Sequence, residues 1–329
     1  MTKVEFHPLF GTPGSERSNW NSHLPFDSSM EIFERATVWP NSGVVKLRDR
    51  SLLTKTVWDP AFLAGVAELR SFYRNFPLRM RGTFYVTGML WGASYYHWMC
   101  DVLPRLVRDL PCLPADVQII LPSWLNASHE EWLKLIDFPF DRSIRFCGRR
   151  PWRVDELWHT NPIAMTGDHV ALDILRVRDR ILARVCNRGS ETNDCRQRLF
   201  INRSPGQERS IENFQAIMPI LHSLGFRIIE GDQLNVFDQV VTFSQAEFVV
   251  GPHGGGFTNI LWCRPGTKVF EIFEPESVRR CYKTLSSILE LDYHCAIGDR
   301  HRLIGETASM KIDPALFLAA VERLIVKLN

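Results

Sequence analysis

The chain has 329 residues, a formal net charge of +2 and 45% hydrophobic residues. Its length favours two domains, and its composition excludes disordered and fibrous proteins. The near-neutral charge argues against a general nucleic-acid binder, so any bound anion requires a local site. The sequence has no run of roughly 20 apolar residues and no secretory signal pattern. We therefore expect a cytoplasmic protein with no transmembrane segment, which leaves open association with a membrane surface and leaves the oligomeric state unknown.

In the first half of the chain, secondary structure can be predicted only after residue 80, where strand and helix patterns alternate. Residues 83–87 and 117–121 are predicted strands, with a helix at about 95–109 between them. This order predicts a parallel sheet. Apolar residues recur at helical spacing over 170–185 and predict another helix, which is followed by a wholly polar segment, 187–194. We therefore predict an N-terminal domain over residues 1–190.

The second half alternates more regularly. Strands are predicted at 199–201, 226–229, 248–250 and 268–273, with helices at 211–224, 235–245 and after the third strand. This alternation predicts a Rossmann-like α/β domain over 195–312. A final helix over 313–329 begins at Asp313-Pro314, a favourable helix start.

Three consecutive glycines, Gly254, Gly255 and Gly256, follow the predicted strand 248–250. A glycine turn between a strand and a helix presents backbone N–H groups at the sheet edge where diphosphates bind. The sequence matches neither the dinucleotide fingerprint nor the P-loop. A tight turn that needs glycine only for conformation or packing is the alternative. His253, just before the turn, could donate to a phosphate oxygen or only tie the turn to nearby backbone.

Two arginines follow the first strand of the same domain. Arg203 and Arg209 are expected near the glycine turn, because loops after parallel strands gather at one sheet edge. Guanidinium groups suit phosphate oxygens, although a solvated arginine is the ordinary alternative. Glu271 lies in the apolar strand 268–273 and needs a partner there, either an arginine or the hydroxyls of a sugar.

In the first half, His97 and Asp101 are four residues apart on the predicted helix 95–109. Residues at this spacing share a helix face and can hydrogen-bond, which could hold a proton for catalysis or only brace the segment. Pro104 is expected to make this helix irregular.

These motifs together resemble glycosyltransferase family 61. Residues 91–106 resemble its N-x-x-H-W-x-x-D-x-L-P-R-L block, residues 200–213 its Y-I-S-R…R-x-I-x-N block, and residues 249–271 its G-x-H-G-A-G-L-T-N…P-P-G-T-x-V-x-E block. The blocks occur in the same order and cover about residues 85–297. Departures such as Tyr95, Asn202, Gly255 and Phe257 remove no charged group.

The resemblance implies a GT-B architecture, with two Rossmann-like domains facing a central cleft, and an inverting glycosyltransferase. It implies that the second domain binds a nucleoside-diphosphate sugar and that the first, acceptor-side domain binds a glycan or polysaccharide acceptor. In such proteins the C-terminal helix often crosses back to the first domain. The predicted donor-binding residues are Arg203, Arg209, His253, Gly254, Gly255, Gly256, Asn259 and Glu271. Asp101 and His97 are the candidates for the catalytic base, and the choice between them stays open.

No cofactor is predicted, and no strict metal requirement. The chain has no Asp-x-Asp motif to hold an ion against a diphosphate, and its eight cysteines show no zinc-site spacing. The expected role is polysaccharide biosynthesis. The alternative is a noncatalytic nucleotide-sugar-binding subunit of a polysaccharide assembly complex.

Overall fold

The computed structural model describes residues 30–53, 56, 76–160, 167–186, 196–230, 233–275, 278–304 and 307–326. The chain divides into two compact units between Ile181 and Leu182. This boundary lies inside the helix Ala171–Cys186, just before the predicted linker 187–194, which lies outside the described residues. Each unit contains its own sheet with parallel strands, which confirms the α/β class.

The N-terminal unit is built on a seven-stranded mixed sheet. Its strands are β1 (Met30–Glu34), β2 (Thr37–Val38), β3 (Val45–Lys46), β4 (Leu78–Val86), β5 (Gln118–Leu121), β6 (Ser143–Arg145) and β7 (Trp152–Thr160). The strand order is β3-β2-β7-β4-β5-β6, and β1 also pairs with β7. Strands β4 to β7 are parallel to their neighbours in this group, whereas β1 and β2 run antiparallel to β7.

The helical segment after β4 contains a wide turn that accommodates a proline. It consists of α1 (Tyr95–His97), a π-helical turn (Trp98–Val102) and α2 (Leu103–Asp109). Pro104 stands in the first turn of α2, and the N–H of Leu103 reaches back five residues to the carbonyl of Trp98. The helical segment predicted over 95–109 is therefore confirmed, and the irregularity expected at Pro104 takes the form of a π turn.

A buried polar cluster ties α2 to the ends of the central strands. The Asp109 carboxylate accepts hydrogen bonds from Tyr85 Oη at 2.7 Å and from the Thr160 hydroxyl. Arg105, only 3% exposed, donates from Nη2 to the carbonyl of Thr87 at 2.6 Å. The arginine of the L-P-R-L segment therefore fixes the loop after β4.

His159 is buried next to this cluster at the end of β7. We expect it to make the folded protein less stable in mild acid. Burial, and then the positive charge of Arg105, lower its pKa from 6.5 to about 3. Because the unfolded chain then binds a proton that the folded chain does not, unfolding becomes easier as pH falls below 6.5. Between pH 6.5 and about pH 5 we expect this group to cost roughly 2 kcal/mol.

Urea unfolding of the parent and of His159→Phe across this pH range measures the effect. The variant should show a flatter dependence of unfolding free energy on pH. The same slope in both proteins would contradict the assignment of this proton to His159.

The C-terminal unit contains a five-stranded sheet whose order is β12-β11-β10-β8-β9, all parallel. Its strands are β8 (Gln197–Asn202), β9 (Phe226–Glu230), β10 (Ala246–Pro252), β11 (Lys268–Phe273) and β12 (Asp292–Ile297). The chain runs from β8 outward to β9 and then back to β10 on the other side of β8. The carboxyl ends of β8 and β10 therefore flank a topological switch point, where ligands bind in open α/β sheets.

Helices and a small ribbon complete the two units. The further α-helices are α3 (Ala127–Leu135), α4 (Ala171–Cys186), α5 (Phe214–Ser223), α6 (Val236–Ser244), α7 (Cys281–Ile288) and α8 (Pro314–Val326), and β13 (Asp299–Ile304) pairs with β14 (Thr307–Lys311). The segment after the glycine turn is a 3₁₀ helix, Gly255–Trp262. None of the helices in the described ranges is long and apolar enough to cross a membrane.

The final helix packs within the C-terminal unit. Its apolar residues Phe317, Val321 and Leu324 are buried in the same core cluster as Phe200 of β8 and Phe248 of β10. This cluster covers the buried face of α8. The crossing back to the first domain, which the family resemblance implied, stays a prediction.

Candidate functional site

The predicted pair His97 and Asp101 forms a hydrogen bond in the N-terminal unit. His97 Nδ1 lies 2.7 Å from Asp101 Oδ2, and the two side chains are 16% and 10% exposed. The pair follows the carboxyl end of β4 and spans the junction of α1 with the π turn. Spacing alone predicts this contact, and the structure contains it.

This pair has the composition of a proton-accepting dyad. The carboxylate engages Nδ1, which fixes the orientation of the imidazole ring, a group that can exchange a proton. A carboxylate bound to imidazole can also take a proton through its own free oxygen. Both Asp101 and His97 therefore stay candidates for a general base, with the partner acting as the group that orients it.

Arg203 and the glycine turn meet at the switch point of the C-terminal sheet. Arg203 directly follows β8, and His253 directly follows β10. Arg203 Nη1 lies 3.5 Å from the carbonyl oxygen of His253. A Cβ atom added to Gly254 would lie 1.9 Å from Arg203 Nη1, so the guanidinium lies directly against the turn. The loops that the sequence predicted to converge are therefore in contact.

Two guanidinium groups at this edge retain buried, unused donors. Within the described part of the chain, the Nε atoms of Arg203 and Arg209 are both buried without a hydrogen-bond partner. Burial, and then the charge of Arg209, lower the pKa of Arg203. Glu208 lies 4.0 Å from Arg209 Nη2, the limit of an ion pair. An anion bound to these guanidinium groups would relieve the repulsion between the two cations.

Arg209 also has an unusual backbone. Its φ of 61° lies in the left-handed region, which a residue other than glycine adopts at a cost. Such strain concentrates at functional positions held by the surrounding structure. Arg209, which has this strained backbone, is also one of the two arginines whose Nε is buried without a hydrogen-bond partner.

His253 is held by a buried carboxylate. Its Nδ1 bonds to Glu271 Oε1, and Tyr293 Oη donates to Glu271 Oε2 at 2.6 Å. Glu271 is fully buried, and its partners are a histidine and a tyrosine rather than the arginine or sugar hydroxyls that the sequence analysis considered. Glu271 therefore orients His253, because both of its oxygens are occupied inside the protein. Burial and then the Glu271 charge raise the pKa of Tyr293, which keeps its hydroxyl a donor.

The glycine turn is fixed by polar side chains around it. Tyr282 Oη donates to the carbonyl of Gly254 at 2.7 Å, and Asn259 Nδ2 donates to the carbonyl of Gly256 at 3.3 Å. The first helical bond runs from the N–H of Phe257 to the Gly254 carbonyl at 3.0 Å, so the N–H groups of the three glycines precede it. Asn259 is 8% exposed and shapes the turn. Gly255 faces open space.

Tyr282 and Tyr293 belong to the site, although sequence reasoning missed both. Tyr282 lies on α7 and Tyr293 on β12, elements that the sequence pattern did not predict. Across the ranges that the structure covers, no group of three His, Cys, Asp or Glu side chains could hold a metal ion. Metal independence itself stays a prediction.

Glycine substitutions should separate packing from ligand binding. In Gly254→Ala the new methyl group must displace the flexible Arg203 guanidinium, so we expect weaker nucleotide binding with little change in the melting temperature. In Gly251→Ala the methyl group would meet the backbone oxygen of Ile201 at 2.4 Å, so we expect a loss of about 1–3 kcal/mol in stability.

Thermal unfolding and nucleotide titration of both variants check this pair of outcomes. Tight nucleotide binding by Gly254→Ala would show that the observed position of Arg203 does not matter for the ligand.

Comparison with known proteins identifies the family. The model of the Glycosyltransferase 61 family matches residues 95–270, more than half of the 329 residues. A β-1,2-xylosyltransferase from Arabidopsis thaliana is 30% identical over 76 residues, which make up 22% of this chain and 14% of that protein. The aligned part is thus a small fraction of that relative. The family match includes His97, Asp101, both arginines and the glycine turn. The chain therefore belongs to glycosyltransferase family 61.

Proposed function

We propose that the protein transfers a sugar from a nucleoside-diphosphate sugar to a hydroxyl of a glycan acceptor, with inversion at the anomeric carbon. The most direct support is the pair of buried, unpartnered guanidinium nitrogens of Arg203 and Arg209 at the switch point of a parallel sheet. A diphosphate is the anion that this combination of charge and glycine turn suits best. Polysaccharide biosynthesis is the proposed role.

The proposed architecture is GT-B. The C-terminal unit would bind the donor, because its Rossmann-like sheet carries the arginines and the glycine turn. The N-terminal unit would bind the acceptor, because it carries the His97–Asp101 dyad.

The proposed reaction is a direct displacement. The acceptor hydroxyl oxygen forms a bond to the anomeric carbon while the bond from that carbon to the diphosphate oxygen breaks. Asp101 or His97 takes the hydroxyl proton. Negative charge develops on the departing diphosphate, where Arg203, Arg209 and the N–H groups of the glycine turn would stabilise it. His253, oriented by Glu271, would contribute a further donor from its ring.

A noncatalytic nucleotide-sugar-binding subunit is the alternative function. Such a subunit would need the residues that bind the nucleotide sugar but not the His97–Asp101 dyad. The hydrogen bond formed between His97 and Asp101 therefore argues against it. Slow donor hydrolysis without acceptor, abolished in Asp101→Asn, would separate the two functions.

Thermal unfolding with UDP, GDP, ADP and CDP tests donor binding. A nucleotide at 100 times its Kd should stabilise the folded protein by about 2.7 kcal/mol, which raises the melting temperature measurably. The same titration on Arg203→Ala should give a smaller rise. If none of the four nucleotides stabilised the parent at millimolar concentration, the proposal would fail.

We expect catalysis to proceed without a divalent metal ion. The charges of Arg203 and Arg209 supply the neutralisation that an ion would otherwise give to the leaving diphosphate. Turnover in excess EDTA should therefore stay within a few-fold of the untreated rate. A loss of more than about a hundredfold, restored by Mn²⁺ or Mg²⁺, would assign at least ~2.7 kcal/mol of transition-state stabilisation to the ion and contradict this prediction.

A further inference from the structure

Trp91 lies in the loop between β4 and α1 in a strained conformation. Its φ is 59°, in the left-handed region, and the residue is 40% exposed. A bulky residue rarely adopts this backbone conformation, which is unfavourable and persists only where the surroundings impose it. Exposed indole surface adds a further cost, because apolar area stays in water.

The surrounding loop imposes this conformation. The N–H of Gly92 donates to the Met89 carbonyl at 2.9 Å, and the N–H of Ser94 donates to the Trp91 carbonyl at 2.9 Å. Gly92 is packed so tightly that an added Cβ would lie 3.0 Å from the Trp124 ring. Trp124 Nε1 in turn donates to the Asn41 carbonyl at 3.0 Å. These contacts of Gly92, Ser94 and Trp124 together fix the backbone around Trp91.

The indole of Trp91 lies beside the dyad. Its centroid is 6.0 Å from that of the His97 ring, and the two planes meet at 30°. On another side, the Tyr96 ring approaches His97 edge-on with centroids 5.1 Å apart, and Tyr96 Oη lies 3.2 Å from His169 Nε2. The imidazole that bonds to Asp101 is therefore bordered by aromatic side chains, of which Trp91 is the most exposed.

We propose that Trp91 is the platform on which the acceptor sugar stacks, which sets the specificity for acceptors with one apolar face of C–H groups. The inference rests on the proposed function. A sugar ring lying on the indole would cover exposed apolar surface and place its positively polarised C–H groups against the negative face of the π system. Its hydroxyl groups would then project at the ring edge, next to His97 and Asp101. Stacking of the acceptor would therefore explain both the strained backbone and the exposed indole of Trp91.

Saturation-transfer NMR with methyl glycosides of common hexoses and pentoses tests the proposal on the full chain without donor. At least one glycoside should receive saturation through the C–H protons of one ring face. Trp91→Ala should weaken that binding at least about tenfold, whereas Trp91→Phe, which keeps a stacking ring, should retain most of it. Phe140→Ala is the matched control, because Phe140 is similarly exposed at 38% and packs on Phe138 instead.

Equal binding by the parent and Trp91→Ala would overturn the proposal, and so would a panel in which no glycoside binds the parent. Thermal unfolding, compared with glycoside binding, separates a binding role of Trp91 from a purely structural one. Trp91→Gly should be at least as stable as Trp91→Ala, because glycine adopts a positive φ without strain, yet it should bind glycosides as weakly. If Trp91→Gly were the less stable of the two, the strain argument would be wrong.

Nucleotide titration of the same proteins separates this inference from the proposed function. Nucleotide affinity should be equal in the parent and in all Trp91 variants. If the parent binds nucleotide and transfers sugar but Trp91→Ala keeps its acceptor KM, the stacking role fails and the function stands. If the parent binds no nucleotide, the proposed function fails.

Discussion

Replacing Asp101 by asparagine is expected to lower the rate of sugar transfer by about 10²–10⁴-fold, the usual contribution of general acid–base catalysis. The amide keeps the shape of the side chain, but it cannot take the proton of the acceptor hydroxyl. It also has no negative charge with which to bind His97. Because Asp101 lies in the N-terminal unit, nucleotide binding should be unchanged. The measurement is kcat for transfer together with Kd for nucleotide.

Asp141→Asn is the matched control, since it makes the same change at an exposed carboxylate of the same unit. The transfer rate of His97→Gln then separates the two candidates for the base. If Asp101 is the base, this variant should keep a measurable rate, whereas if His97 is the base, it should lose transfer as Asp101→Asn does. Full activity of Asp101→Asn would remove Asp101 from the mechanism.

The second large effect is expected from Arg203→Ala. Loss of one charge-assisted bond to phosphate costs about 1.5–3 kcal/mol, which corresponds to roughly 10–150-fold weaker nucleotide binding. Arg203→Lys should recover only part of it, because an ammonium group lacks the guanidinium fork. Isothermal titration at moderate salt measures the effect.

Arg227→Ala provides the control for Arg203→Ala, since Arg227 is an exposed arginine on β9 of the same sheet. It should bind nucleotide as the parent does. If Arg203→Ala bound nucleotide as tightly as the parent, the donor site would lie elsewhere.

Local patterns predict the strands that contain a run of apolar residues bounded by turn signals. The predicted strands 199–201, 226–229, 248–250 and 268–273 correspond to β8 to β11; β10 and β11 are almost wholly buried, whereas β9 keeps exposed residues such as Arg227. β7 and β12 were missed because charged or polar residues interrupt them, as in the sequence WRVDELWHT of β7. Burial by neighbouring strands, which the sequence pattern does not contain, decides their structure.

Some contacts of the candidate site could likewise be predicted from the sequence, and others could not. The His97–Asp101 contact follows from helical spacing, and the approach of Arg203 to the glycine turn follows from parallel-sheet geometry. The partners of Glu271 could not be predicted, because Tyr293 becomes its neighbour only through the pairing of β11 with β12. The helix expected after the glycines is a 3₁₀ helix whose side chains from Phe257 to Trp262 are all buried.

The anomeric configuration of the transferred sugar is the most direct test of the proposed reaction. The donor whose nucleotide stabilises the protein most would be incubated with the full chain and the glycoside that binds best, and NMR would follow the anomeric proton of the product. We predict release of a nucleoside diphosphate and a product of opposite anomeric configuration to the donor, with product formed at least about a hundredfold more slowly by Asp101→Asn. A product that retains the donor configuration, or equal product formation by Asp101→Asn, would contradict direct displacement assisted by this dyad.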